Sequence, residues 1–407
     1  MTHPFANPNR IIGSVGQSAI VGVFGELLTG EFNNDIAVQF QYSISSYDAS
    51  TTLTGDGAAG VASDEYWAEL TSTTGTAEIV SVDALRYRPG HTAMAYFTAS
   101  FEGAGDGEIG IFTSEDGFFV RHDSTGLNFV YRRGGSDISV VNYDDFNGGS
   151  LDSGNLSLDD TPDWSNIHIF VIVYGYLGVA NPSLLFLQPN TNQFTVLHTF
   201  FTAGNLQTTH IGNPVLPICA YTSGAKTLRT ASWAAGTIGD TDGVGSRPFH
   251  WDGTVALSGT NVATLAVFEN KSTYQSKTNR VKGELVNMSF AVDAPASGSG
   301  KVQFSFIRNP TLSGTPSWTD VDADNSVIRY DTVQTYGSGG VDVWTEWLDY
   351  SGGANPNSSK SSQQASRDVV DIGFYLYPGD RMIIIAQNVA GSENVTVRAA
   401  LNWRELF

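Results

Sequence analysis

Charge is scarce in this 407-residue chain: Asp, Glu, Lys and Arg together make up 15%, well under the usual quarter of a soluble protein. What charge there is carries one sign, with 41 acidic against 21 basic residues and a formal net charge of −20. Such a surface repels nucleic-acid phosphates and anionic headgroups alike, which excludes DNA, RNA and membrane surfaces as expected partners. Cysteine is nearly absent. The single Cys219 forbids an intrachain disulfide, fits a reducing cytoplasm, and reads as a small buried apolar side chain. Long apolar runs are missing too. The most apolar stretch, Ile167 to Ala180, is interrupted by His168, Gly175 and Gly178 and is too short to span a bilayer. The first residues, Met1-Thr2-His3-Pro4-Phe5, show neither the basic nor the apolar region of a secretory signal, so export by that route is not expected.

The sequence is rich in the residues of tight turns, with 44 Gly and many Ser, Thr and Asn, while 41% apolar and 12% aromatic residues suffice to fill cores. No segment sustains a 3.6-residue apolar period, whereas alternation with a period of two is frequent. Ala95, Phe97, Ala99 and Phe101 alternate with polar neighbours. Glu108 to Phe112, Phe118 to His122, Leu127 to Tyr131 and Ile138 to Val141 follow, separated by Gly103–Gly107, Glu115-Asp116-Gly117, Asp123–Gly126 and Gly134-Gly135, which predicts a meander. The β-branched and aromatic run Ile167 to Tyr174 has the character of a central strand covered on both faces. Near the end, Val395, Val397, Ala399, Leu401 and Trp403 alternate almost to the last residue, and pairing with Met382 to Ala386 as a hairpin is predicted.

These patterns predict an all-β protein of two antiparallel β-sandwich or jelly-roll-like domains behind an extended N-terminal arm. The arm is expected over residues 1–60, where short apolar pieces sit among Gly, Asn, Ser and Thr. The domains are expected over 61–245 and 246–407, divided in the loose stretch Thr237 to Asp252.

Candidate chemistry fails at named residues. Gly105-x-Gly107-x-x-Gly110 has the spacing of a dinucleotide fingerprint but lies between strands, with no helix to receive a pyrophosphate. Gly298-Ser299-Gly300-Lys301 is followed by Val302 where a phosphate-binding loop needs a hydroxyl. No histidines have metal-ligand spacing, and His168 reads as a hydrogen-bonded core residue. Asp240-x-Asp242 and Asp320-x-Asp322-x-Asp324 read as turn-capping carboxylates rather than a Ca²⁺ loop. Glu346 and Asp349 lie beside Trp344 and Trp347, the one place where acids adjoin aromatic faces on which a sugar can stack. The E-x-D-x-x-E strand of sandwich glucanases is absent. No catalytic, cofactor or metal residue is therefore expected, and the protein reads as a non-enzyme. Trp344 and Trp347 remain as a candidate glycan contact.

One segment carries a family likeness. Leu85-Arg86-Tyr87-Arg88-Pro89-Gly90 before Ala95-Tyr96-Phe97-Thr98-Ala99, then Gly110-Ile111 and Asp116-Gly117-Phe118-Phe119, resembles a stretch of bacteriophage virion structural proteins. Asn213-Pro214-Val215-Leu216-Pro217, Thr230-Ala231-Ser232-Trp233, Asn279-Arg280-Val281 and the closing Leu401-Asn402-Trp403-Arg404-Glu405-Leu406-Phe407 are similar to later landmarks of such proteins. The likeness covers roughly Ser81 to Phe407. It implies a component of a phage tail, baseplate or head appendage, made in the host bacterial cytoplasm and resident in the virion. It further implies assembly with other virion proteins and with copies of itself, a trimer by analogy. A host-receptor or glycan-binding protein of the particle is the alternative, and a polysaccharide depolymerase ranks below it. Arg86, Tyr87 and Arg88 can be read as arginines paired with acids of their own chain or as a subunit interface, since Arg and Tyr are favoured at interface centres.

Overall fold

The protein is described by a computed structural model over residues 32–61, 66–88, 90–148, 162–175, 181–188, 194–206, 208–238, 246–293, 295, 297–352, 363–368, 374–391 and 393–406. It is all-β: among the described residues the single helical element is the short 3₁₀ turn Tyr143–Asp145. The chain divides into two units, Met1–Val244 and Gly245–Phe407.

Unit 1 is two antiparallel sheets face to face. The first runs Phe194–Thr199, Ser183–Leu187, His168–Tyr174, Ala93–Gly103, Lys226–Thr230, Ala68–Ser72, Ala58–Val61, with Ser232–Ile238 joining Ala93–Gly103 to Phe32–Gln39. The second runs Ser136–Asn142, Gly126–Arg133, Gly117–Asp123, Asp106–Phe112, Ile218–Ser223, Thr76–Ser81, Ala49–Thr54. Period-two alternation supplies the core. Ala93, Ala95, Phe97, Ala99 and Phe101 of the first sheet meet Ile109, Ile111, Phe118, Val120 and Phe129 of the second, each large side chain contributing about 1.5–3 kcal/mol by burial. His168–Tyr174 is covered on both faces, with Phe170, Ile172 and Tyr174 in this core and Val171 and Val173 in a second cluster behind it.

Three expectations change. The meander holds from Asp106 to Asn142, but Ala93–Gly103 belongs to the opposite sheet. The chain crosses the sandwich at Gly103–Gly105, beside a matching crossing at Ser223–Lys226, and Gly105 N donates to Ala225 O at 2.9 Å. Lys226 is buried at this corner with Nζ on Gly103 O at 3.1 Å, and burial brings its pKa down to about 8. The arm is also corrected. From Phe32 to Val61 the chain is built into the sandwich, because Phe32–Gln39 pairs with Ser232–Ile238, Ala49–Thr54 with Thr76–Ser81 and Ala58–Val61 with Ala68–Ser72. Residues 1–31 lie outside the described residues.

In unit 2 one sheet runs Ser246–Leu257, Val395–Leu406, Lys282–Asp293, Gln363–Asp368, with Tyr375–Leu376 also on Lys282–Asp293. The other runs Thr319–Asp320, Ile328–Asp331, Val262–Asn270, Arg381–Ala390, Gly298–Arg308, Val341–Gly352. Phe290 of the first packs on Phe304 and Phe306 of the second, at ring-centroid distances of 4.9 and 5.6 Å. The third correction is here: Arg381–Ala390 and Val395–Leu406 do not form a hairpin. They lie in facing sheets, and their apolar faces meet across the core.

His198 yields a pH prediction. It is buried beside Phe129, Phe146 and Phe200, its Nδ1 accepting from Asn147 N at 3.3 Å, and desolvation holds its pKa down to about 4. Between that value and the 6.5 of an exposed imidazole, the unfolded chain binds a proton that the folded chain refuses. This contribution is complete above the unfolded value and is lost as pH falls toward the folded one, about 2 kcal/mol by pH ~5. His198→Gln, which keeps an acceptor for Asn147, is expected to flatten that part of the acid dependence. Urea unfolding of both proteins at neutral and mildly acidic pH measures it, and equal slopes would remove His198 from the account.

Candidate functional site

The Arg86-Tyr87-Arg88 segment is turned toward its own chain. Asp35 is the extra residue of a β-bulge between Asn34 and Ile36, and a bulge of this kind re-aims one side chain. Its carboxylate accepts from Arg86 N at 3.0 Å and pairs with the Arg88 guanidinium at 3.3 Å. Arg88 is buried and also donates to Thr237 Oγ1. Of the two readings of these arginines, Arg88 shows the intrachain pairing. Arg86 and Tyr87 are half-buried.

The outer face of the second sheet of unit 1 carries an ion cluster. Glu108 pairs with Arg121 at 2.6 Å, and Asp137 accepts from both Arg121 and Arg132 at 2.7 Å. The Arg132 guanidinium lies 4.6 Å from the Phe119 ring centroid and 5.9 Å from that of Phe112, shielding both rings. Burial pushes the Glu108 carboxyl up against the pull of the two arginines. With charges matched and rings covered, this cluster presents little for a ligand to use. Cys219 sits beneath it, and burial, with Glu78 and Glu108 nearby, pushes its thiol well above the ordinary range, as suits an inert packing residue.

Unit 2 presents an open face of a different kind. In Val341–Gly352, Leu348 and Tyr350 point into the core, so Trp347 and Asp349 point outward, and Trp347 is 48% exposed. Register sets its neighbours. Trp347 is opposite Gln303, and Gln303 is opposite Gln387, which is opposite Val262. The next outward row is Thr345, Ser305, Ile385 and Thr264. Val262 and Val389 are exposed on the same strands. Gln303 Nε2 donates to Ser305 Oγ at 3.1 Å, which fixes one amide relative to the ring. An exposed indole flanked by two amides and the Thr345 hydroxyl can stack on an apolar ring face while donating to and accepting from its substituents.

The two tryptophans of the sequence reading are separated by this geometry. Trp344 shares the inward parity of Leu348, packs against the core, and buries its indole N–H without a hydrogen bond among the described residues. Trp347 alone serves the outer face. Glu346 and Asp349 likewise project from opposite faces of their strand, and Lys301 Nζ is 3.5 Å from Asp349. Val302, Phe304 and Phe306 point into the core, which gives Gln303 and Ser305 the outward parity. Their adjacency to Trp347 and Gln387 is a long-range pairing that no local pattern reveals.

His168 and Asp322 make hydrogen bonds close by in their own chain. His168 is half-buried, with Nε2 2.9 Å from Asp163 O. Asp322 caps its own turn, accepting from Asp324 N and Asn325 N at 3.0 Å, and the Asn325 side-chain amide, with these backbone bonds, holds its carboxyl below the usual range. Asp240 and Asp242 lie outside the described residues. No cluster of metal-ligating side chains occurs among the described residues, and none of the described helices is long and apolar enough to cross a membrane.

No protein-family model and no curated protein matches the sequence. Solved structures give partial similarity. Arcelin-5, a lectin-like defense protein from Phaseolus vulgaris, aligns at 10% identity over 49% of this chain and 96% of its own, with a TM-score of 0.31. A lectin from Bauhinia forficata in complex with GalNAc aligns at 10% identity over 51% and 100%, with a TM-score of 0.32. A legume lectin-like domain from Entamoeba histolytica aligns at 10% identity over 50% and 99%, with a TM-score of 0.30. The chain itself is a two-unit, all-β protein of antiparallel sandwiches.

Proposed function

We propose that the protein is a non-enzymatic, glycan-binding component of a bacteriophage particle, and that the outer face of unit 2 around Trp347 is its sugar platform. The observation that carries this reading is the row Trp347, Gln303, Gln387, an exposed indole continued by two outward amides on adjacent strands. The likeness of the Leu85 to Ala99 segment to phage virion proteins supports the setting. The outward acid beside Trp347 is Asp349, near Lys301, while Glu346 projects from the other face, an arrangement unlike two carboxylates facing one another across a cleft.

Trp347→Ala is expected to weaken retention on a glycan array or in affinity electrophoresis by roughly tenfold or more, as for a central aromatic anchor. The thermal midpoint should stay within a degree or so, because the ring is on the surface. No new reducing ends should appear. Undiminished binding by the variant would remove this face from the function.

A structural role in assembly is the second reading, favoured by Ser246–Leu257. That strand of 12 residues is at the edge of its sheet and pairs on one side only, with Val395–Leu406, among the described residues. The edge of a sheet is a natural place for a second chain to add. Electron microscopy of particles labelled against the protein tests the setting, and its absence from purified particles would count against both virion readings.

A further inference from the structure

We infer that the ligand of the Trp347 face is an uncharged polysaccharide, held side-on at internal sugar units rather than by a chain end. This rests on the glycan-binding reading above and adds the class of glycan and the manner of its capture.

The shape of the face supplies the first half of the argument. Its floor crosses four strands, Val262–Asn270, Arg381–Ala390, Gly298–Arg308 and Val341–Gly352. At the usual spacing this makes a run of about 14 Å, room for more than one pyranose ring. One long side is walled. Leu312, Trp318 and Tyr336 pack over Val267, Ile307 and Ile383, and the wall is tied to the floor where Tyr336 N donates to Thr264 Oγ1 at 3.2 Å. Both ends are open. Among the described residues Val341–Gly352 is the edge of the sheet, with no strand paired beyond Trp347. At the other end Ile328–Asp331 pairs with Val267 to Asn270 of its neighbour and, as a strand, stops short of Val262 and Thr264. A site for a terminal sugar needs a closed end. A ledge walled along one side, with no paired strand across either end among the described residues, admits a chain passing along it.

Charge supplies the second half. The floor residues Val262, Gln387, Gln303, Trp347 and Thr345 carry none. At the border Lys301 and Asp349 offset one another. The whole chain, at −20, repels a polyanion before contact. What the floor offers is stacking at Trp347 and paired donors and acceptors at the two amides, which suits the hydroxyls of successive neutral sugars.

The test uses the full-length protein in affinity electrophoresis through gels containing dextran, laminarin or galactomannan, with alginate and polygalacturonate as anionic counterparts. Isothermal titration with an oligosaccharide ladder from whichever neutral polymer retards it then reads the length dependence. The expected result is retention by a neutral polymer that Trp347→Ala abolishes, affinity rising about tenfold or more from monosaccharide to tetrasaccharide, and little response to salt. Gln303→Ala, with its fold checked by thermal unfolding, should lose much of the gain with length while retaining the stacking contact. Trp347-dependent binding that is already complete with a monosaccharide overturns the inference and leaves the glycan-binding reading standing. So does Trp347-dependent binding confined to the anionic polymers and weakened by salt. Absence of Trp347-dependent retention in every gel overturns that reading and the inference together.

Discussion

Replacing Glu405 with alanine is expected to destabilise unit 2 by about 3–5 kcal/mol, the cost of orphaning several buried donors at once. Glu405 is wholly buried on Val395–Leu406. Its carboxylate accepts from Ser326 Oγ, from Val327 N at 2.8 Å and from Trp403 Nε1 at 3.2 Å, fastening the C-terminal strand to the turn ahead of Ile328–Asp331. Alanine removes the acceptor of Val327 N and Trp403 Nε1, while Ser326 Oγ keeps only Ile328 O at 3.3 Å. Glu405→Gln fills the space, but its one acceptor cannot serve both Val327 and Trp403, so a smaller loss of about 1–2 kcal/mol is expected. Urea unfolding followed by tryptophan fluorescence reads both variants. A cost under about 1 kcal/mol for the alanine variant would mean that the donors find other partners.

The same residue sets a pH dependence opposite in sign to that of His198. Burial raises the Glu405 carboxyl above its ordinary value, against the pull of its hydrogen bonds. The folded chain therefore keeps a proton that the unfolded chain has released, and the associated stability is present in acid and lost as pH rises through the raised value. Wild type should thus lose ground relative to Glu405→Gln between mildly acidic and neutral pH. His198 contributes the reverse trend in unit 1.

Strands were legible in this sequence where one face is buried, because burial imposes alternation. Val395 to Trp403 is the plainest example, and its odd positions do line the core. Pairing was not legible. Alternation tells a strand which face to bury and says nothing about its neighbour, so Met382 to Ala386 and Val395 to Trp403 looked like a hairpin although Gly391 carries the chain across to the facing sheet. The strands before Gly60 were missed for a different reason. Ser50 to Thr54 has exposed side chains throughout, and Asp35 is a bulge that breaks the alternation of Phe32–Gln39. Trp347 could be singled out by residue type, but separating it from Trp344 required knowing the parity of the strand. Gln303 and Gln387 needed the register of three strands.

Asp116→Ala is expected to cost unit 1 about 3 kcal/mol, although the residue sits in a turn, where most substitutions cost little. The turn joins Asp106–Phe112 to Gly117–Asp123, and Asp116 within it is only 6% exposed. Its Oδ1 accepts from Gly212 N at 2.9 Å and Gly134 N at 3.3 Å, and its Oδ2 from Asn213 N at 3.2 Å. Segments far apart in sequence are thereby held at one end of the sandwich by one carboxylate. The backbone is fixed independently: Thr113 N donates to Asp116 O at 2.8 Å, and Gly117, at φ +141°, lies so close to Phe112 that a Cβ there would fall 2.4 Å from its Cα. Truncating Asp116 should therefore leave the turn in place and strip only its side-chain bonds, so the loss reports on the clamp itself. Asn retains one oxygen, and with that oxygen in the Oδ1 position it still serves Gly212 and Gly134. Its cost should be about half that of alanine. Amide exchange at Gly134, Gly212 and Asn213 should speed up in the alanine variant. A loss below about 0.5 kcal/mol, the size of an ordinary surface change, would show that these amides do not depend on Asp116.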